Sequence, residues 1–300
     1  MEYQFYGFRL ASEVALPTLA PAIEIGNPDI TLQLGRVEEQ IDGAIWTSPF
    51  MEIGSDNSVL VKLGDGWRFL VLHGSRIILQ ATGAIDCGEL ETHLSSVIAG
   101  VLLHQRDELA LHASAVAIDG AAVAFAGASG LGKSTIASAL TLHGHPLLAD
   151  DVCRVQFDAA APMVLPGPPR LRLWPDIALA LGKAPEQLAT ARANHPKRLL
   201  TDIVREPVAR PLRVIIRLGF DPRLAAPSLE PLHGAAALMP IDELVYRTRL
   251  GRHLGRNAGI FTKLMRLGDV VSVFRLLRPE GPPDLPRLVA LVEEAARESR

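Results

Sequence analysis

Apolar and polar positions alternate along the first eighty or so residues, the period of half-buried strands. Residues 3–10 and 30–34 read as strands with Pro and Gly between them. Residues 58–63 and 67–73 flank Gly64-Asp65-Gly66, a hairpin signal, and residues 75–79 add a further strand. The period then changes. Leu90, Leu94, Val97, Ile98, Val101 and Leu102 recur at helical spacing and give one apolar face.

Residues 109–118 and 121–126 are apolar runs on either side of Asp119-Gly120, a turn signal. The second run leads directly into a glycine loop, and the loop into an Ala- and Leu-rich helix over 133–143. Residues 146–149 read as a short buried strand that ends at Asp150-Asp151. Beyond Val155 the pattern weakens. Residues 162–169 are proline-rich and extended or looped. A helix is expected within 174–188 and a polar, basic, mobile loop over 189–210. A strand follows over 213–220, mainly helix over 239–267, a strand over 270–276 and a closing helix over 286–297. The expected fold class is α/β: a smaller β-rich N-terminal domain over 1–85, then a larger domain over 86–300 with a mixed sheet and flanking helices around the glycine loop.

Composition narrows the function classes. The 300 residues are 48% hydrophobic, enough for a sizeable core, and the formal net charge of −3 offers no general attraction to nucleic acid or anionic membrane. Cys87 and Cys153 form no CxxC pair, so neither a disulfide framework nor a zinc site is expected. His143 and His145 read as loop residues. No secretory signal and no run of some 18 apolar residues stands out, and the expected location is cytoplasmic.

The candidate chemistry centres on Gly127-Ala128-Ser129-Gly130-Leu131-Gly132-Lys133-Ser134-Thr135, which fits GxxxxGK[ST] at every fixed position. Glycines let the backbone turn its N–H groups onto phosphate oxygens, and the following helix adds its positive N-terminal end. Lys133 can reach the β- and γ-phosphates of ATP or GTP, and Ser134 can offer a hydroxyl to Mg2+. Asp150 and Asp151 follow Lys133 by 17 and 18 positions. A strand parallel to the loop strand and beside it would bring that tip to the γ-phosphate. There one carboxylate can hold Mg2+ and the other take a proton from an attacking hydroxyl. His112 lies in an apolar run, where a hydrogen-bonded core histidine is the ordinary alternative to a catalytic one. Arg170 and Arg172 can clamp phosphate or an acidic substrate, or simply be solvated.

Three elements within about forty residues resemble the HPr kinase/phosphorylase family of P-loop kinases: Leu111-His112, the glycine loop, and Gly144-His145-Pro146-Leu147-Leu148-Ala149-Asp150-Asp151. The resemblance implies transfer of a nucleotide γ-phosphate to a serine hydroxyl of a small protein. It makes Asp150 the general base, Asp151 the neighbour that supports the metal, and His112 the histidine beside that acid. Residues 165–174 lack the glutamate carried by members that phosphorylate HPr, and the N-terminal region differs from theirs, which points away from HPr as substrate. The Pro-Arg-Leu-Arg-Leu-Trp-Pro run at 169–175, the length and the β-rich start look like a divergent branch that includes kinases of lasso-peptide biosynthesis. That branch implies a precursor peptide with a C-terminal serine as partner. A basic stretch with Lys197, Arg198 and Arg205 would then meet the terminal carboxylate, and a homo-oligomer is expected by analogy. The alternatives are a small-protein kinase, a kinase of free serine or another small molecule, and a non-catalytic nucleotide-gated regulator.

Overall fold

A computed structural model describes residues 1–22, 26–64, 66–158, 161–191, 196–238 and 240–299. The chain divides into two compact units, Met1–Glu108 with Arg247–Ile260, and Leu109–Tyr246 with Phe261–Arg300. The first segment of the first unit runs to Glu108, so the long helix that follows its strands belongs to that unit.

The first unit holds an eight-stranded mixed sheet: β1 (Glu2–Phe5), β2 (Phe8–Ser12), β3 (Ile30–Leu34), β4 (Trp46–Ser48), β5 (Met51–Ile53), β6 (Val59–Lys62), β7 (Arg68–Leu72) and β8 (Arg76–Gln80). The spatial order is β1-β2-β3-β8-β7-β6-β5-β4. The single strand expected over 3–10 is two, because Tyr6 and Gly7 both adopt positive φ and close a tight hairpin with Phe5 opposite Phe8. The expected turn at Gly64-Asp65-Gly66 joins β6 to β7, which pair antiparallel; Asp65 itself lies outside the described residues. Alternate residues of β2, β7 and β8 are buried, which leaves one face for a helix to cover. That helix, α1, spans 87–105 and contains a π turn at Leu94–Ile98. Asp86 caps it by accepting the N–H of Glu89 at 2.8 Å.

The second unit is built on β9 (Leu109–Leu111), β10 (Ala113–Ile118), β11 (Ala121–Ala126), β12 (Leu147–Ala149), β13 (Cys153–Phe157), β14 (Pro162–Val164), β17 (Arg210–Phe220), β18 (Ser228–Leu232) and β19 (Ser272–Arg278). A separate two-stranded ribbon pairs β15 (Leu171–Leu173) with β16 (Arg198–Leu200). Asp119 and Gly120, both at positive φ, make the expected tight turn between β10 and β11. The parallel core runs β11-β17-β19. The helices are α2 (Lys133–Leu142), α3 (Pro175–Ala180), α4 (Ala235–Leu238), α5 (Ile241–Leu244), α6 (Thr248–His253), α7 (Asn257–Val270) and α8 (Leu285–Glu298), of which α6 and the start of α7 fall in the first unit. The stretch expected as mainly helix over 239–267 is thus broken into α5, α6 and α7, with Arg247 at positive φ between the first two.

Two departures from the sequence reading shape the site. The apolar run 109–118 is not one strand. It breaks at His112, whose N–H donates to Leu244 O at 2.9 Å, so that β9 pairs with β13 and β10 with β11 and β12. And β12 is not beside the loop strand. It pairs antiparallel with β10, itself antiparallel to β11. Two reversals leave β12 running in the direction of β11. The C-terminal ends of β11 and β12 and the N-terminal start of β10 therefore meet at one sheet edge. The core behind that edge gathers Val116, Phe125, Ile136, Leu140, Ile216 and Val292, which packs α2 and α8 against the strands. Each such buried side chain contributes about 1.5–3 kcal/mol.

Candidate active site

The glycine loop leaves β11 at its C-terminal end. Gly127, Gly130 and Gly132 have φ of +142°, +92° and +99°, conformations that L side chains rarely adopt. At Gly127 space is restrictive too: an added β-carbon would lie 3.1 Å from Leu218 O. Gly132 is the N-cap of α2 and supplies no side-chain cap, which leaves the first amides of the helix open to a ligand. Lys133 folds back over the loop and donates to Gly127 O at 2.7 Å and Ala128 O at 3.2 Å.

In the first turn of α2, Ser134 Oγ donates to Asp150 Oδ1 at 2.7 Å. Ser114 Oγ, from the start of β10, donates to the same oxygen at 2.6 Å, and the N–H of Arg172 donates to Oδ2 at 3.2 Å. Asp150 thus collects three donors from α2, β10 and β15. A hydroxyl that gives its proton to a carboxylate keeps lone pairs that a cation can use.

Asp151 turns the other way. Its backbone is left-handed, φ +70°, and its carboxylate forms an ion pair with Arg172 and stands 3.8 Å from His112 Nε2. Burial pushes the Asp151 carboxyl up, but the charges of Arg172 and His112 hold it below its ordinary range. Burial, aided by the charge of Lys133, pushes the His112 imidazole down and keeps it neutral at neutral pH. Burial likewise lowers Lys133. Tyr246 lies with its ring 5.5 Å from that of His112.

A cavity of ≈ 580 Å³ opens over these groups. Its lining includes His112, Asp151, Arg172, Lys197, Arg278 and the loop from Ser129, Gly130 and Gly132 through Thr135. Four cationic side chains, Lys133, Arg172, Lys197 and Arg278, face two carboxylates, Asp151 and Asp176, so the cavity favours an anionic ligand. A larger hollow of ≈ 870 Å³ in the first unit, edged by Arg36, Glu39, Arg68 and Gln80, has no glycine loop.

Other candidates divide. In β15 the pattern buries Leu171 and Leu173 and turns Arg172 toward the cavity. Arg170, 4% exposed, is buried in the body and does not line the cavity. Arg198 is tied by donation to Pro185 O at 3.0 Å, and neither it nor Arg205 reaches the cavity. Lys197 does, with its ammonium 5.4 Å from the Trp174 ring centroid. The mobile loop expected over 189–210 contains β16, and its residues 192–195 lie outside the described residues. His143 bonds Ala139 O and His145 bonds Glu293, both structural roles. Cys153 is buried, with its thiol donating to Ala113 O. The sequence reading missed Ser114 and Arg278. A lone serine inside a strand otherwise of Ala, Val and Ile is the available signal for the first.

Among the described residues no group of three or more His, Cys, Asp or Glu could hold a metal alone. No helix among the described residues is long and apolar enough to cross a membrane.

No protein-family model matches this chain, and no curated protein is similar to it. Among solved structures, the Hpr(Ser) kinase/phosphatase from Coxiella burnetii is similar over 63% of this chain and 90% of that chain, at 17% identity and a TM-score of 0.34. At that level the chemistry of the site rests on its own geometry.

Proposed function

We propose that this chain is a phosphotransferase that passes the γ-phosphoryl group of ATP or GTP to a serine hydroxyl of a peptide or small protein, with Mg2+. The observation that carries the reading is the bond from Ser134, in the glycine loop's helix, to Asp150, beside a second acid that faces a cationic cavity. Bound Mg2+ would draw charge from the phosphates, held by Ser134 with Asp150 behind it.

This division of the acids departs from the expectation that Asp150 is the base and Asp151 the metal support. Asp150 already accepts three donors and does not line the cavity, whereas Asp151 does. Asp151 then accepts the proton of the serine hydroxyl. The serine oxygen bonds to the γ-phosphorus, the bond from phosphorus to the β–γ bridging oxygen breaks, and the nucleoside diphosphate leaves with that oxygen. Neutral His112 orients Asp151, and Lys133 neutralises the phosphates. Ion pairing with Arg172 makes Asp151 a weak base, suited to orienting a hydroxyl rather than stripping it early.

For the acceptor we favour the C-terminal serine of a lasso-peptide precursor. The run 169–175 supports it, as do Arg172 and Lys197 on the cavity wall, which would meet a terminal carboxylate in place of the expected Arg198 and Arg205. The test is an acceptor panel with Mg2+ and ATP: a peptide ending in serine, the same peptide amidated, a small protein with an internal serine, and free serine. Mass spectrometry should find one phosphoryl group on the free-acid peptide alone. Equal labelling of the amidated peptide would remove the carboxylate reading.

A further inference from the structure

Arg278 ends β19, next to the glycine loop in space and far from it in sequence. A β-carbon built on Gly132 would stand 3.9 Å from Arg278 Nη2, so the guanidinium borders the first turn of α2. Two contacts hold it there. Its Cζ lies 4.2 Å over the ring of Phe220, the residue opposite it in the β17–β19 register, and Nη1 donates to Gly281 O at 3.0 Å. A weaker bond at 3.4 Å reaches Pro279 O.

What the guanidinium lacks is a carboxylate. Among the described residues its partners are carbonyl oxygens and one aromatic face. Asp221, at the end of the neighbouring strand, is engaged by Arg223 at 2.7 Å. The side chain is half-buried, and burial alone pushes its ionisation below the ordinary value, with no acid opposing it. A permanent charge partly withdrawn from water, fixed in place and facing a cavity, is a site built for an anion. In a glycine loop the backbone amides cradle the α- and β-phosphates while the lysine reaches the β- and γ-phosphates. Arg278 borders Gly132, whose backbone belongs to the amide part of the loop, and lines the same cavity as Lys133.

We propose that Arg278 binds the α- and β-phosphates of the donor nucleotide and sets affinity for its diphosphate portion. This rests on the phosphotransferase reading above. The test is isothermal titration of Mg-ATP and Mg-ADP into wild type, Arg278→Gln and Arg278→Lys, each checked for an unchanged circular dichroism spectrum. Loss of one charge-assisted contact weakens binding about tenfold or more. Arg278→Gln should therefore weaken ATP and ADP about tenfold by the same factor, and Arg278→Lys should recover most of it. Wild-type affinity in Arg278→Gln would overturn the proposal. Weakening of ATP alone would move the contact to the γ-phosphate and overturn it as stated. An equal loss in Arg278→Lys would mark the Phe220 stack as the cause and also overturn it. Failure of wild type to bind either nucleotide would remove the phosphotransferase reading itself.

Discussion

Ser134 and Asp150 lie on different elements, one in the first turn of α2 and the other just past β12, and are joined by a 2.7 Å hydrogen bond. The bond ties the glycine loop to the acidic tip across the intervening strand β10, whose Ser114 donates to the same oxygen. Removing the carboxylate charge should therefore act through the metal. Asp150→Asn should lower phosphoryl transfer at least a hundredfold at low Mg2+ and recover in part as Mg2+ is raised, measured as initial rate against Mg2+ concentration. A loss independent of Mg2+ would contradict the assignment.

Among the described residues the hydrogen bonds of Lys133 go to two carbonyls of its own loop, Gly127 O and Ala128 O. Lys133→Ala should weaken ATP binding by about tenfold or more while the melting temperature moves only a few degrees. A collapse of the melting temperature would show that the ammonium braces the loop instead.

The Arg172–Asp151 pair is only about a fifth exposed on either side. Arg172→Gln strands the Asp151 carboxylate and should cost about 3 kcal/mol, the low end for a buried pair because some solvent reaches it. The Asp151 carboxyl titrates below its ordinary value of 3.8 in the folded chain, so the pair stabilises fully above that value and the stability is lost as pH falls through the lower one. Urea denaturation should show the variant less stable at neutral pH and with a flatter acid limb. Unchanged neutral stability would mean the pair adds nothing.

His112 should titrate below 6.5, because burial and Lys133 oppose its protonation. The unfolded chain then binds the proton more readily, so stability rises with pH from the folded value up to 6.5 and is level above it. Imidazole chemical shifts followed by NMR would give the midpoint directly. A midpoint at or above 6.5 would contradict the burial argument, and one above neutral pH would put a charged His112 beside Asp151.

Much of the site was legible because it is local. The GxxxxGK[ST] spacing marks backbone geometry, and its three glycines do stand at positive φ. The Asp119-Gly120 turn and the helix after the loop follow from short-range chemistry in the same way. What the sequence hid is pairing at a distance. Nothing local says that β12 pairs with β10 instead of β11, since both are apolar runs with the same buried pattern. The break at His112 depends on Leu244, and the ribbon that turns Arg172 and Lys197 to the cavity joins segments separated by a polar stretch. Which of the two adjacent acids meets Ser134 rests on the left-handed backbone at Asp151, invisible in a run of two aspartates.

The most direct test is to quantify nucleoside diphosphate and phosphoserine together, with a serine-ended peptide, Mg2+ and ATP, for wild type and Asp151→Asn. One ADP for each phosphoserine in wild type, and neither in a variant that still binds ATP, is the expected result. ATP binding with no phosphoserine on any acceptor, or an Asp151→Asn variant as active as wild type, would contradict a serine kinase working through this site.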